Sequence, residues 1–362
     1  MDIMKLVKRA VAERATDIHL MENSPPYFRI DEELVPVADE PAINHENMLG
    51  VLTGVLPEGL RPELMGKRSV DIGYQFGNLA RCRIIVFFER RHFNVVLRLI
   101  PMKIPSLERL ELDSLLGKFA DLDHGMMLVT GPSGSGKSTT LAALMERMNE
   151  TRKISIITIE NPIEYLFQNS QAVISQREIG DDVLDFSGGV LQSLHQDPDV
   201  IMIGEMRDLE TMRVSIQAAE TGHLLLSTLN TMGAVQTVAR ILGSFPETEQ
   251  ALVHNQIAAN LSVVVSQQLV KRIGGKGRIA ALEIMVVTDH IVKMIQEDKI
   301  LEIYETIKSG LEGMQTLDQG LARLVREKKI REVDGAQHAH DIYAYHRCVK
   351  GIESPSDHGW IS

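Results

Sequence analysis

The sequence predicts an α/β protein of two parts, a small N-terminal α+β domain followed by a larger domain built on a parallel sheet. Its 362 residues exceed what one ordinary core sustains, so a domain boundary is expected. Roughly the first hundred positions carry short β-like runs separated by turn residues: PPYFRID, RSVDIGYQF, NLARCRIIVFFE and FNVVLRLIP. From Gly125 the pattern changes to apolar strands alternating with helices, in MMLVT, ISIITIE, DVIMIGE and HLLLSTL. That alternation is typical of a parallel sheet covered on both faces.

Between the two patterns stands PMKIPSLERLELDSLLGKFADLD, where two prolines precede a short amphipathic helix. The expected division is therefore residues 1–101, a linker over 102–123, the larger domain over 124–335 and a tail over 336–362. From about Pro246 to Ile330 the larger domain reads as mostly helical, with HNQIAANLSVVVSQQLV and DHIVKMIQEDKILEIYETI as the clearest helical stretches. The tail is weakly patterned and expected to fray.

Composition narrows the function. The two cysteines, Cys82 and Cys348, are far apart and show no C-x-x-C spacing, which leaves neither a disulfide framework nor a four-cysteine zinc site. A formal net charge of -11 opposes binding to a phosphate backbone, so nucleic acid is not an expected partner. No apolar run approaches a membrane span, and the N-terminus, charged throughout, lacks the features of a secretory signal. A cytoplasmic protein is expected.

Residues 131 to 138, GPSGSGKS, match Gly-x-x-x-x-Gly-Lys-Ser/Thr between an apolar strand and a helix. Backbone N–H groups of Gly131, Pro132 to Ser135, Gly136 and the helix start at Lys137, Ser138 and Thr139 are expected to cradle phosphates, Pro132 contributing shape rather than an N–H. Within that stretch Ser133 and Gly134 are likewise candidate nucleotide-binding residues. Lys137 would reach the β- and γ-phosphates of ATP and Ser138 would ligate Mg2+.

The run from Asp199 to Glu205 reads as a buried strand delivering a carboxylate at its C-terminal end, where ligands sit in open α/β sheets. Glu205 is the candidate for activating the attacking water and for a place at Mg2+. It would also suit the first turn of a solvent-facing helix. ISIITI ends in Glu160, Asn161, Pro162, Ile163 and Glu164, and either Glu160 or Glu164 can orient water there, unless this is simply a strand stopped by Pro162. His223 and Asn230 flank HLLLSTL as candidate sensors of the γ-phosphate. In the first domain Arg81 and Arg83 stand two apart and share a strand face, with Arg98 on the next strand. They read either as a solvated cationic face or as arginines that act on a phosphoryl group. His338, His340 and His346 in the tail lack acidic or cysteine partners at ligand spacing.

Taken together, ATDIHL, ARCR, LRLIP, GPSGSGKSTTLAA, TIENPIEY, QREIG, DPDVIMIGEMRDLETMR, AAETGH, GRIAALEIM and GMQTLDQ resemble the secretion-type traffic ATPases. Within them the chain is similar to the type IV pilus retraction ATPases, typified by PilT and PilU, from about residue 10 to residue 330. The resemblance implies a Per-Arnt-Sim-like (PAS-like) first domain, a RecA-like second domain and a homohexameric ring holding ATP between neighbouring subunits. It implies an inner-membrane platform protein as partner, with a paralogous pilus ATPase as a second, and a place at the inner face of the cytoplasmic membrane. Arg81, Arg83 and Arg98 fall on the family's nucleotide-contacting arginines, Glu205 on its catalytic glutamate and His223 on the first of two histidines. The family's extension and type II secretion members carry a four-cysteine insertion, which two isolated cysteines cannot supply.

Three departures from the family pattern stand out. Asn161 replaces an aspartate, removing a charge but keeping an oxygen ligand. Asn230 replaces the second histidine, which keeps hydrogen bonding and loses a proton carrier. Asp31, Glu32 and Glu33 stand where Asp-Gly is common in a hairpin turn. The first two favour slow turnover, or an accessory subunit that binds ATP and hydrolyses little.

Overall fold

The computed structural model describes residues 1–30, 33–275 and 277–352. The turn expected at Asp31 and Glu32 lies outside the described residues. Two compact units emerge: Met1–Ile104 with Asn161–Phe167, and Pro105–Glu160 with the chain from Gln168 onward.

The first unit is a six-stranded antiparallel sheet of β1 (Asp17–Met21), β2 (Tyr27–Ile30), β3 (Glu33–Pro36), β4 (Ser69–Phe76), β5 (Ala80–Glu89) and β6 (His92–Ile100), in the order β3-β2-β1-β6-β5-β4. Along β5 the side chains alternate between buried and half-buried, so Cys82, Ile84 and Val86 enter the core while Arg81 and Arg83 face the other way. Leu6, Val7 and Ala10 of helix Ile3–Ala12 and Met48, Val51 and Leu52 of helix His45–Val55 fill that core.

The second unit holds seven strands in the order β13-β12-β7-β11-β10-β8-β9. They are β7 (Gly125–Thr130), β8 (Ser155–Glu160), β9 (Val173–Glu178), β10 (Val200–Ile203), β11 (Leu224–Leu229), β12 (Leu261–Lys271) and β13 (Arg278–Val286). Every pair is parallel except β12 with β13. All residues of β7, β10 and β11 are buried, as central strands covered on both faces require. Their C-terminal ends lie along one edge, where Gly131, Glu205 and Asn230 follow β7, β10 and β11.

Three expectations are corrected. HNQIAANLSVVVSQQLV is not one helix: Glu247–Asn260 is helical, and the β-branched run Val263, Val264 and Val265 then enters β12. GRIAALEIM follows as β13, so the region past Pro246 contributes two strands to the sheet. The expected linker is largely built into the second unit, with Leu107, Leu112, Leu116 and Phe119 buried and Arg152 donating to the carbonyls of Ala120 and Leu122 at 3.0 and 2.7 Å. The tail does not fray over its described part. Helix Ile342–Val349 inserts Tyr345, fully buried, whose hydroxyl donates to the Glu332 carbonyl at 2.8 Å. Among the described residues no helix is long and apolar enough to cross a membrane.

Candidate functional site

The phosphate-loop motif leaves the end of β7, and its glycines adopt the conformations that make the residue type necessary. Gly131 has φ 143° and Gly136 φ 88°. A Cβ on Gly131 would fall 2.3 Å from the Gln267 carbonyl oxygen, and one on Gly136 would lie 2.9 Å from Gln267 Nε2. Helix Lys137–Thr151 begins directly after Gly136, so the loop's backbone and the positive end of a four-turn helix face the same space.

Lys137 Nζ donates to the carbonyls of Gly131 at 2.8 Å and Pro132 at 3.0 Å, and to Asn230 Oδ1 at 2.9 Å. The same carboxamide turns its Nδ2 to Glu205 Oε1 at 2.6 Å. Asn230 thus joins the loop lysine to the strand-end carboxylate through one planar group. The other oxygen of Glu205 accepts from Arg207 Nε at 2.6 Å. Behind Glu205 the turn is fixed by Thr228 Oγ1 donating to the Gly204 carbonyl at 2.7 Å and by Met206 N donating to the Thr228 carbonyl at 3.1 Å. Glu205 therefore does not sit in the first turn of the following helix, which starts at Leu209 with Asp208 as its cap.

At the end of β8, Glu160 is buried and its Oε1 accepts from Thr158 Oγ1 at 2.7 Å and from Gln176 Nε2 at 3.1 Å. The chain then passes through a cis Asn161–Pro162 bond into the segment that belongs to the first unit, so Glu164 lies there and Glu160 does not.

In the first unit Arg81 and Arg83 share one face, as their spacing predicts, and the β5–β6 register sets Arg98 directly opposite Arg83 on that face. Arg83 makes a two-pronged contact with Asp71, at 3.0 Å from Nε and 2.5 Å from Nη2, and approaches Glu164 at 3.9 Å. Arg81 Nε donates to the Ile163 carbonyl at 2.8 Å. Arg98 donates to Asp17 at 3.0 Å while its side chain stays 64% exposed.

His223 is not brought to the phosphate loop. It precedes β11, at the opposite end of that strand from Asn230, and its Nδ1 engages the Ala218 carbonyl at 3.0 Å and Thr221 Oγ1 at 2.9 Å. Six strand residues at about 3.3 Å each separate the two, so within one chain they cannot read the same phosphate. The tail histidines do not gather either. His338 pairs with Gln268 and His346 with Glu332, while the His340 ring packs on Tyr304.

Residues that the sequence reading did not single out as site candidates also contribute. Arg207 stands two positions past Glu205, Gln176 lies in QREIG, and Gln267 is a buried amide within β12. Gln267 stands between Ser266 and Gln268, so its polarity alone does not set it apart in the sequence, although its burial requires partners. For the metal, the expected donors are the Ser138 hydroxyl and the Glu205 carboxylate, an all-oxygen pair that suits a hard cation. Among the described residues no three His, Cys, Asp or Glu side chains gather as a metal site by themselves.

The family model for the type II/IV secretion system protein matches residues 86–334. The type IV pilus retraction ATPase PilT of Pseudomonas aeruginosa is 38% identical over 340 residues, which cover 94% of this chain and 98% of PilT. PilU, a type IV pilus ATPase of the same organism, is 34% identical over 360 residues, 99% of this chain and 94% of its own. A crystal structure of the pilus retraction motor PilT with bound ADP superposes with a TM-score of 0.88 at 35% identity, covering 96% of this chain and 99% of that one. This chain belongs to the type II/IV secretion system protein family, alongside the PilT and PilU pilus ATPases.

Proposed function

We propose that this chain is a magnesium-dependent ATPase that powers retraction of type IV pili. The observation that carries the reading is the continuous link from Lys137 through Asn230 to Glu205, which joins a phosphate-binding cation to a carboxylate able to take a proton from water. Lys137 exchanges its loop carbonyls for the phosphates, Glu205 accepts the proton of the attacking water, and Glu160, fixed by Thr158 and Gln176, orients that water. Ser138 with Glu205 would hold magnesium, which when bound would supply positive charge against the phosphates.

On this reading the first unit is PAS-like and the second RecA-like. Six copies form a ring with nucleotide between neighbours, and Arg81, Arg83 and Arg98 add positive charge to the transferring phosphoryl group. Motion of the ring works on an inner-membrane platform protein from the cytoplasmic side, with a paralogous pilus ATPase as a further partner. A second reading, an accessory subunit with little turnover, is favoured by Asn230 and Asn161, neutral amides where the resemblance places a histidine and an aspartate.

Steady-state magnesium-dependent ATP hydrolysis by the purified protein, with Lys137→Ala and Glu205→Gln, tests the first reading. Turnover lost in both variants supports it. Tight ATP binding by the unmodified protein without turnover, together with failure to restore retraction in a strain lacking its own copy, would replace the motor with the accessory reading.

A further inference from the structure

Gln267 belongs to β12, well away from the motif in sequence, and is 2% exposed. Burying a carboxamide costs free energy unless both its ends are satisfied, and here both are. Its Nε2 donates to the Ser135 carbonyl at 2.6 Å and its Oε1 accepts from Thr140 Oγ1 at 2.8 Å. Its own backbone carbonyl also lies against Gly131, where no Cβ would fit. One residue therefore touches the phosphate loop at its start, near its end and on the first turn of the helix behind it.

The bond to Ser135 has a chemical consequence. In a trans peptide the carbonyl and the next N–H point in opposite directions. Holding the Ser135 oxygen back toward β12 therefore turns the Gly136 N–H away from β12, as a donor to phosphate must be turned. With the peptide reversed, a carbonyl oxygen would replace that donor and repel the anion. Gly136, at φ 88° and without a side chain, has the freedom to make such a reversal. An apolar side chain would fill the space but leave this peptide unfixed.

We propose that Gln267 is a positioning residue for nucleotide, one that locks the Ser135–Gly136 peptide in its phosphate-binding orientation and so sets affinity rather than the rate of the chemical step. The inference rests on the phosphate-loop reading above. The test measures ADP binding by calorimetry and the kcat and KM of ATP hydrolysis for the full-length protein and for Gln267→Met and Thr140→Val. Gln267→Met is expected to weaken ADP about tenfold or more and raise KM in parallel, with kcat within about threefold of the original. Thr140→Val removes a bond to the same amide but leaves the Ser135 contact, so its ADP affinity should stay within about threefold. A purely structural role would lower the melting temperature of both variants and move their affinities together. If Gln267→Met does not fold, Gln267→Glu at pH 8, which keeps the volume and the acceptor for Thr140 but loses the donor, must show the same weakening. ADP affinity within twofold in the folded variant, or equal weakening in Thr140→Val, would overturn the proposal while leaving the phosphate-loop reading intact. Absence of ADP binding by the unmodified protein would overturn both.

Discussion

Replacing Asn230 by leucine isolates what the Lys137–Asn230–Glu205 link contributes. The substitution keeps the branched, four-heavy-atom outline of the side chain, with some added volume, and removes both ends of the carboxamide. Lys137 retains the carbonyls of Gly131 and Pro132, so the loss on that side is small. Glu205 loses its 2.6 Å donor on Oε1 and keeps only Arg207, whose side chain is 72% exposed and whose ion pair is correspondingly screened. A hydrogen bond to a charged group contributes about 1.5–3 kcal/mol, and if that orients Glu205 only for the chemical step, kcat should fall about 10- to 150-fold with KM little changed. Arg207→Gln, removing the screened partner, should cost less than about fivefold. Asn230→His can still donate from one ring nitrogen and accept at the other, and should stay within about tenfold of the original. Initial rates over a range of MgATP concentrations decide the matter. A kcat for Asn230→Leu within twofold of the original, or a larger loss in Arg207→Gln than in Asn230→Leu, would refute the assignment of Asn230 as the group that orients Glu205.

Three further outcomes follow from packing and burial. Gly320→Ala places a Cβ 2.5 Å from the Leu282 carbonyl, which must push helix Leu317–Arg326 off β13 and lower the stability measured in urea by about 1–3 kcal/mol, whereas Gly59→Ala, with nothing within 4 Å, should change it by less than about 0.5 kcal/mol. Tyr345→Ala empties a fully buried site among Leu321, Leu324 and Ile330 and should cost about 3–5 kcal/mol by the same assay. Burial holds the Glu283 carboxyl above the usual range despite its bond from Ala234 N. A carboxyl with a raised value contributes stability that is full below about pH 4.5 and lost as pH rises through its folded value. The unfolding free energy of the original protein should therefore fall relative to that of Glu283→Gln as pH rises from 4.5, and parallel pH profiles would contradict this.

What the sequence shows and what it hides divides along physical lines. β7, β10 and β11 are legible because a strand buried on both faces has to be apolar throughout, and the loop between β7 and its helix is legible because positive φ demands glycine at fixed positions. The shared face of Arg81 and Arg83 follows from a period of two. β9 is hidden because it pairs only with β8, at the edge of the sheet, and reads VISQRE, half-exposed and polar. β12 is hidden because its apolar run follows a helix without a glycine or proline to separate them. His223 and Asn230 look equivalent as neighbours of one strand, yet a parallel strand has one end at the site and one end away from it. The partners of Arg83 and of the loop are hidden for another reason. Asp71 lies across β4–β5, and Gln267 lies 132 positions from Ser135, contacts that only the completed sheet creates.

The choice of a neutral amide at Asn230 has its own logic. An ammonium has only donors and an ionised carboxylate only acceptors, so a group joining Lys137 to Glu205 must accept at one end and donate at the other. Asparagine does this on one rigid plane. Aspartate at the same place would hold Lys137 more tightly and repel Glu205 across 2.6 Å, tying the lysine to the empty loop and leaving the base without a donor. Phosphate competes for Lys137 through charge-assisted bonds stronger than those the loop carbonyls and the amide provide. When Lys137 moves onto phosphate, Asn230 Oδ1 loses its donor, and any reorientation of the amide to recover one carries Nδ2 with it and alters its hold on Glu205. On the proposed reading, the state of the phosphate site and the orientation of Glu205 are therefore coupled through a single side chain. Such a coupling needs no titrating group, so an asparagine where the resemblance places a histidine is compatible with turnover.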